Sequence, residues 1–203
     1  MKNRTNNDTP ITTELYIDGE IRPAEGKRHY DLYNPARPDE LVGHAALASL
    51  EDVDKAVEAS HRAFSLWSGK SYTERAEILN HIADQLVADE EDLAFRSRLF
   101  CREHGKILKE TMLEVSRLGD RFRQAAAYAD RLEADEKVSG GPFDTIITRQ
   151  PRGVAALIVP WNWPLSILGA KLPQALMAGN TVVVKPSHSS ALAPSLTLQK
   201  IAA

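Results

Sequence analysis

The chain has 203 residues, with 25 Lys and Arg against 28 Asp and Glu and a formal net charge of -3. With no surplus of positive charge to displace counterions from phosphate, general nucleic-acid binding is disfavoured. A single cysteine excludes an internal disulfide scaffold. The proportions of 43% hydrophobic and 26% charged residues are those of an ordinary globular chain, of a size for one domain or two small ones at roughly 100 to 200 residues each.

Residues 1–10 contain no apolar stretch able to serve as a signal-peptide core, and residues 1–13 read as a disordered lead-in. The longest apolar run, Val154 to Val159, stops at Pro160, far short of the roughly 20 residues needed to span a bilayer. The expectation is a reduced, cytoplasmic protein with no membrane or nucleic-acid partner.

Leu15-Tyr16-Ile17-Asp18-Gly19-Glu20-Ile21 reads as a β-hairpin around a type I′ Asp-Gly turn. His29 to Tyr33 reads as extended chain ending at Asn34-Pro35. From Ser49, with Asp52 three residues later as in a capping box, the spacing of Val53, Ala56, Val57, Ala63, Phe64 and Trp67 predicts a helix with these residues inward. Thr73 is the predicted N-cap of a second helix that buries Ile78, Leu79, Ile82, Leu86 and Leu93 and leaves Asp89-Glu90-Glu91-Asp92 as a solvated face. A third helix is predicted over 108–132, through Met112, Val115, Leu118, Phe122, Ala126 and Ala129.

Ser139-Gly140-Gly141-Pro142 signals a turn, and Thr145 to Arg149 a strand. Gly153 to Val159 and Thr181 to Lys185 read as buried strands without polar alternation, the signature of a parallel sheet. The helix predicted between them, Leu165 to Met177, completes a βαβ unit, and a further helix starts near Ala191.

Ligands in open α/β sheets bind beyond the carboxyl ends of the strands. Two loops fall there, Pro160-Trp161-Asn162-Trp163-Pro164 and Lys185-Pro186-Ser187-His188-Ser189-Ser190. Two readings of each stay open. Asn162 is either an amide donor placed for a developing oxyanion or a side chain satisfying loop backbone. Lys185 is either a cation for a ribose or phosphate or a marker of the sheet edge. Trp161 and Trp163 are either a ligand wall or core. No G-x-G and no phosphate-loop motif occurs anywhere, so dinucleotide binding does not follow from glycine spacing. Cys101, beside Leu99 and Phe100, reads as a packed thiol more readily than as a reactive one.

The stretch Pro151-Arg152-Gly153-Val154, Pro160-Trp161-Asn162-Trp163-Pro164 and Pro173-Gln174-Ala175-Leu176-Met177-Ala178-Gly179-Asn180-Thr181-Val182-Val183-Val184-Lys185-Pro186-Ser187 resembles the NAD(P)-dependent aldehyde dehydrogenase superfamily. Weaker matches at Tyr16-Ile17-Asp18-Gly19, Tyr33-Asn34-Pro35, Trp67, Arg75 and Glu103-His104-Gly105-Lys106 extend it over residues 14–203. The resemblance implies an α/β fold with an atypical Rossmann-like parallel sheet, incomplete here. It implies a helical N-terminal part over 14–135, a β-arm over 136–151 that pairs with a neighbouring subunit in homo-oligomers, and the first βαβ unit over 152–203. By the same resemblance Asn162 helps hold the oxyanion, Ile158, Val159, Pro160, Trp161 and Asn162 line the dinucleotide, Lys185 with Pro186, Ser187 and His188 meets its adenosine ribose, and Lys171 matches a family lysine. The implied cofactor is NAD or NADP and the implied substrate an aldehyde oxidised to an acid; Tyr128 and Trp163 are candidate tunnel residues, and no metal is implied.

Two departures stand out. His188 occupies the position where the family often has a Glu that favours NAD over NADP, which leaves that preference open. The family's pyrophosphate loop, general-base glutamate and nucleophilic cysteine come later than Ala203, and Cys101 does not match that cysteine. The expectation is therefore an N-terminal, cofactor-side fragment, inactive and poorly stable alone. The alternatives are a non-catalytic assembly module and a weak stand-alone dinucleotide binder.

Overall fold

A computed structural model describes residues 9–138, 143 and 145–202. Five strands precede the first helix, so the N-terminal part is mixed rather than helical. Strand β1 (Ile11–Thr13) pairs in parallel with β5 (Arg37–Ala46), which also pairs antiparallel with β4 (His29–Asn34). The lead-in expected over residues 1–13 is thus shorter at its C-terminal end. β5 had no clear sequence signal, because Arg37-Pro38-Asp39-Glu40 opens it with polar and breaker residues. β2 (Leu15–Ile17) and β3 (Glu20–Arg22) form the expected hairpin. Asp18 and Gly19 have φ of 56° and 82°, as a type I′ turn demands.

Helix α1 (Leu50–Ser68) opens on the expected capping box: Ser49 Oγ accepts from the Asp52 amide at 3.1 Å and Asp52 Oδ2 accepts from the Ser49 amide at 2.9 Å. Its inward face differs from the prediction. Val53, Val57 and Ala63 are exposed, whereas Asp52 and Ala59 are buried. The helix meets the rest of the chain through polar bonds, with Ser60 Oγ donating to the Val182 carbonyl at 3.1 Å and Trp67 Nε1 to the Leu176 carbonyl at 3.0 Å. Of the predicted inward residues, Ala56, Phe64 and Trp67 are half-buried, with Trp67 packed against the core, so apolar spacing located the buried face only in part.

Helix α2 (Tyr72–Val87) starts two residues earlier than predicted, capped reciprocally by Ser71 and Glu74. It ends before Asp89, whose side chain caps a separate helix, α3 (Glu90–His104), that carries Leu93. The acidic run is thus a helix start, where its charge complements the helix dipole, and not a solvated face of α2. The single helix predicted over 108–132 is three: α4 (Leu108–Ser116), α5 (Leu118–Ala126) and α6 (Ala129–Glu133). Arg117, Ala127 and Tyr128 relax to ψ of -9°, -9° and 0° between them. Met112 is exposed rather than inward.

β6 (Glu136–Val138) and β7 (Thr145–Ile147) form an exposed antiparallel ribbon. The turn signal at 139–142 lies outside the described residues. β8 (Val154–Ile158) and β9 (Thr181–Lys185) are parallel, with α7 (Pro164–Gly169) and α8 (Leu172–Met177) between them and α9 (Leu192–Ala202) following. The crossover breaks at Lys171 (φ -123°, ψ -50°), and Pro173, which has no amide hydrogen to bond the Gly169 carbonyl, sits in the first turn of α8, where no such bond is needed. The strands are less buried than predicted: of β8 only Leu157, and of β9 only Thr181, is buried, since a two-stranded sheet leaves both edges open.

One core joins these parts. Leu32 and Val42 of the sheet, Leu79 and Leu86 of α2, Phe100 of α3, Phe122 of α5, Leu168 of α7 and Leu192 of α9 belong to the same buried cluster. The end of α3 is set by Gly105, whose φ is 82°, whose amide donates to the Cys101 carbonyl at 2.9 Å, and where a Cβ would lie 2.8 Å from Pro35 Cγ. Gly105→Ala is expected to cost about 1–2 kcal/mol for the left-handed backbone alone, with the Pro35 overlap added. Urea unfolding of the two chains measures it.

Candidate active site

In the parallel ladder Ile158 lies opposite Lys185, and the Val159 amide donates to the Lys185 carbonyl at 3.2 Å. The loops after β8 and β9 therefore leave the same sheet edge side by side. That edge brings together Ile158, Val159, Pro160, Trp161 and Asn162 from one loop and Lys185, Pro186, Ser187 and His188 from the other. Ile158 is 69% and Trp161 58% exposed, while Val159 is buried, so the strand end offers apolar surface around polar donors. Trp161 and Trp163 (42% exposed) are not core residues.

Asn162 is exposed, and among the described residues no hydrogen bond engages its side chain. Among the described residues Lys185 Nζ donates only to its neighbour, the Pro186 carbonyl, at 3.0 Å. Residues 187–190 close a tight turn in which the Ser190 amide donates to the Ser187 carbonyl at 3.2 Å. The exposed His188 lies flat on Tyr30, with ring centroids 3.9 Å apart and planes 12° from parallel. Lys171 stands apart, exposed at the break between α7 and α8, and no hydrogen bond, ion pair or ring contact joins its side chain to the others.

Both helices that follow the strands begin on a buried glutamate. Glu114 of α4 accepts from the Leu165 and Ser166 amides at 2.8 and 3.0 Å, which fills the N-terminus of α7. Its other oxygen accepts from Lys106 Nζ at 2.8 Å, and the two side chains are 0% and 10% exposed. Glu103 of α3 does the same for α9, accepting from the Leu192 and Ala193 amides, both at 2.8 Å. In glycine-fingerprint dinucleotide folds the helix end after a strand takes a phosphate. Here the chain's own carboxylates occupy those amides, and the absence of a G-x-G motif has a structural counterpart.

Burial pushes the Glu103 carboxyl up to about 7, against the hydrogen bonds of the α9 amides that pull it down. Burial, with a smaller contribution from Glu103, raises Tyr30 to about 12. His104 is lowered by burial, and the neutral ring donates from Nε2 to the Trp161 carbonyl at 2.8 Å. Burial also raises the Cys101 thiol, which donates to the Lys106 carbonyl at 2.9 Å. That geometry describes a packed thiol and not an activated nucleophile.

The family model described as aldehyde dehydrogenase family matches residues 21–203. The chain belongs to the aldehyde dehydrogenase family. The alpha-ketoglutarate semialdehyde dehydrogenase of Haloferax volcanii is 35% identical over 185 residues, 91% of this chain and 37% of that protein. The D-glyceraldehyde dehydrogenase (NADP(+)) of Thermoplasma acidophilum is 33% identical over 182 residues, 89% of this chain and 36% of that protein. The crystal structure of PnpE in complex with nicotinamide adenine dinucleotide superposes with a TM-score of 0.83 at 33% identity, covering 93% of this chain and 38% of that one. The chain thus has the aldehyde dehydrogenase fold over its described length and spans little more than a third of the curated relatives it matches.

Sequence reasoning noted Glu103-His104-Gly105-Lys106 only as a weak family match, and it passed over Glu114 and Tyr30. A glutamate eight residues beyond a lysine looks like any solvated helical charge. What separates Glu114 is its complete burial, which no local pattern encodes.

Proposed function

We propose that this chain is the cofactor-side part of an aldehyde dehydrogenase that oxidises an aldehyde to a carboxylic acid with NAD or NADP as hydride acceptor. The observation that carries this reading is the Asn162 amide, unengaged among the described residues, in the loop after β8, on the same sheet edge where the exposed Lys185 ends β9. The residues present fit a dinucleotide. Ile158, Pro160 and Trp161 supply a flat apolar wall, Lys185 supplies ribose-directed donors, and Pro186, Ser187 and His188 form the rim beyond it. When bound, NAD(P)+ accepts the hydride. Asn162 directs its amide donor at the substrate oxygen as negative charge develops there, in a site whose neighbouring backbone is already ordered. Lys171 matches a family lysine and Tyr128 is a candidate tunnel residue, but among the described residues no hydrogen bond, ion pair or ring contact joins either to the two loops. The exposed β6–β7 ribbon, with Val138, Ile146 and Ile147 at 48%, 54% and 44% exposure, suits pairing with a second copy in a homo-oligomer. Among the described residues no helix is long and apolar enough to cross a membrane, and the lone free thiol suits a reducing cytoplasm.

The test is a chimera in which residues 21–203 replace the matching segment of the Haloferax relative. Asn162→Ala is expected to lower kcat by about 10²-fold, far more than it changes dinucleotide affinity; an unchanged kcat would remove the oxyanion role. In the same chimera His188→Glu is expected to shift the ratio of NAD to NADP affinity towards NAD, because a carboxylate accepts from the ribose hydroxyls and repels a 2′-phosphate. A ratio that does not move places His188 outside the ribose site.

A further inference from the structure

We propose that Glu114, Lys106 and His104 are positioning residues that hold the loop carrying Asn162 in its working conformation; this rests on the oxyanion role proposed above. Three separate contacts grip the loop on both sides of Asn162. On the N-terminal side, His104 Nε2 donates to the Trp161 carbonyl at 2.8 Å, and the two rings tilt together at 5.8 Å. On the C-terminal side, Lys106 Nζ sits 3.6 Å from the centre of the Trp163 ring. Just beyond, Glu114 holds the Leu165 and Ser166 amides and pairs with Lys106 through its second oxygen.

All three come from one short stretch, the end of α3, the Gly105 turn and α4. The flanking residues are therefore held by the same stretch of chain, while among the described residues the Asn162 side chain itself has no hydrogen-bond partner. That is the arrangement a donor needs if it must meet a charge that exists only in the transition state: its backbone is pre-ordered and its amide is uncommitted. A carboxylate, an ammonium and an imidazole within one loop's reach exceed what capping a six-residue helix requires. Lys106 links the cap to the aromatic ring beside Asn162, so a displacement at Glu114 reaches the loop tip through a cation–π contact as well as through the backbone.

The test is performed on this 203-residue chain by NMR, following the Asn162 side-chain amide and the indoles of Trp161, Trp163 and Trp67. Trp67 lies on α1 and serves as the internal control. In His104→Phe, which keeps the ring and removes the donor, and in Lys106→Met, the Asn162, Trp161 and Trp163 signals are expected to shift or lose intensity while Trp67 stays in place. Lys106→Arg should restore them, since it keeps the cation and its donors. If Lys106→Met does not fold, the paired variant Lys106→Met with Glu114→Gln removes both buried charges together and is expected to give the same displacement at Asn162. Unmoved Asn162 and loop indole signals in folded His104→Phe and in the paired variant would overturn the proposal. The two readings fail separately. Asn162→Ala with full kcat in the chimera sinks the catalytic reading, whereas unmoved signals here sink the positioning alone.

Discussion

Glu114→Leu is expected to lower the unfolding free energy by about 3–5 kcal/mol, because it leaves the buried Lys106 ammonium without its partner. Lys106 is 10% exposed and lies 2.8 Å from Glu114, whose own side chain is fully buried, so water cannot replace the lost carboxylate. The same substitution strips the Leu165 and Ser166 amides of their acceptor and returns two helix N-terminal donors to the unpaired state. Leucine fills nearly the same space, so cavity formation is not the cause. Glu114→Gln, which retains an acceptor oxygen for those amides but not the charge, is expected to cost less, about 1–3 kcal/mol. Urea unfolding with a common slope for the three chains measures both. Equal losses for Leu and Gln would show that the ion pair, and not the amide contact, carries the effect. No loss with Leu would refute both.

The second large effect is a dependence of stability on pH that runs opposite to ordinary acid denaturation. The Glu103 carboxyl rises from an ordinary 4.5 to about 7 on burial. Between those values the folded chain holds a proton that the unfolded chain has released, so stability falls as pH rises. The contribution is complete below 4.5 and is lost above about 7. At about 1.4 kcal/mol for each unit of displacement, the loss across that window is on the order of 3 kcal/mol. His104 works in the opposite sense. Its lowered value makes the unfolded chain the stronger proton binder near neutrality, so its contribution is present at high pH and is lost as pH falls. Glu103→Gln separates the two, since glutamine has no proton to exchange; it keeps an acceptor for only one of the Leu192 and Ala193 amides, which are held by different oxygens, and that loss is a constant offset at every pH. The stability difference between the parent chain and Glu103→Gln should therefore favour the parent at about pH 5 and decline towards about pH 8. Urea titrations at a series of pH values read it directly. A flat difference would show that the α9 amides hold the carboxylate ionised throughout.

These two glutamates also indicate where local pattern stops being informative. The hairpin at Asp18-Gly19, the Ser49 capping box and the βαβ order are written in contiguous residues, because turn geometry, capping and the hydrophobic run each act within a few positions of chain. Helix ends were less legible. Asp89, Glu90 and Glu91 face water as their charge predicts, but an acidic run on a helix surface and an acidic helix start have the same composition, and only the cap geometry tells them apart. The face of α1 is legible only in part for a related reason. Periodicity locates apolar residues, but this helix meets its neighbours through Ser60, Asp52 and Trp67, whose bonds reach far along the sequence.

The site shows the same division. The loop motifs after the two strands, with Asn162 and Lys185, were readable from the sequence because the chain order places them at strand ends, where an α/β sheet collects its ligands. The family followed from those motifs. The sequence also determined that no glycine-rich phosphate loop lies within these residues. Only the tertiary structure decided what takes its place: Glu103 and Glu114 reach helix ends 89 and 51 residues away, His104 reaches the Trp161 carbonyl, and His188 settles on Tyr30. The physical reason is burial. A charged side chain in sequence carries no sign of the medium it will occupy, and its role as cap, partner or proton holder is fixed only when the fold removes water and leaves it a small set of amides, one lysine or one ring to answer.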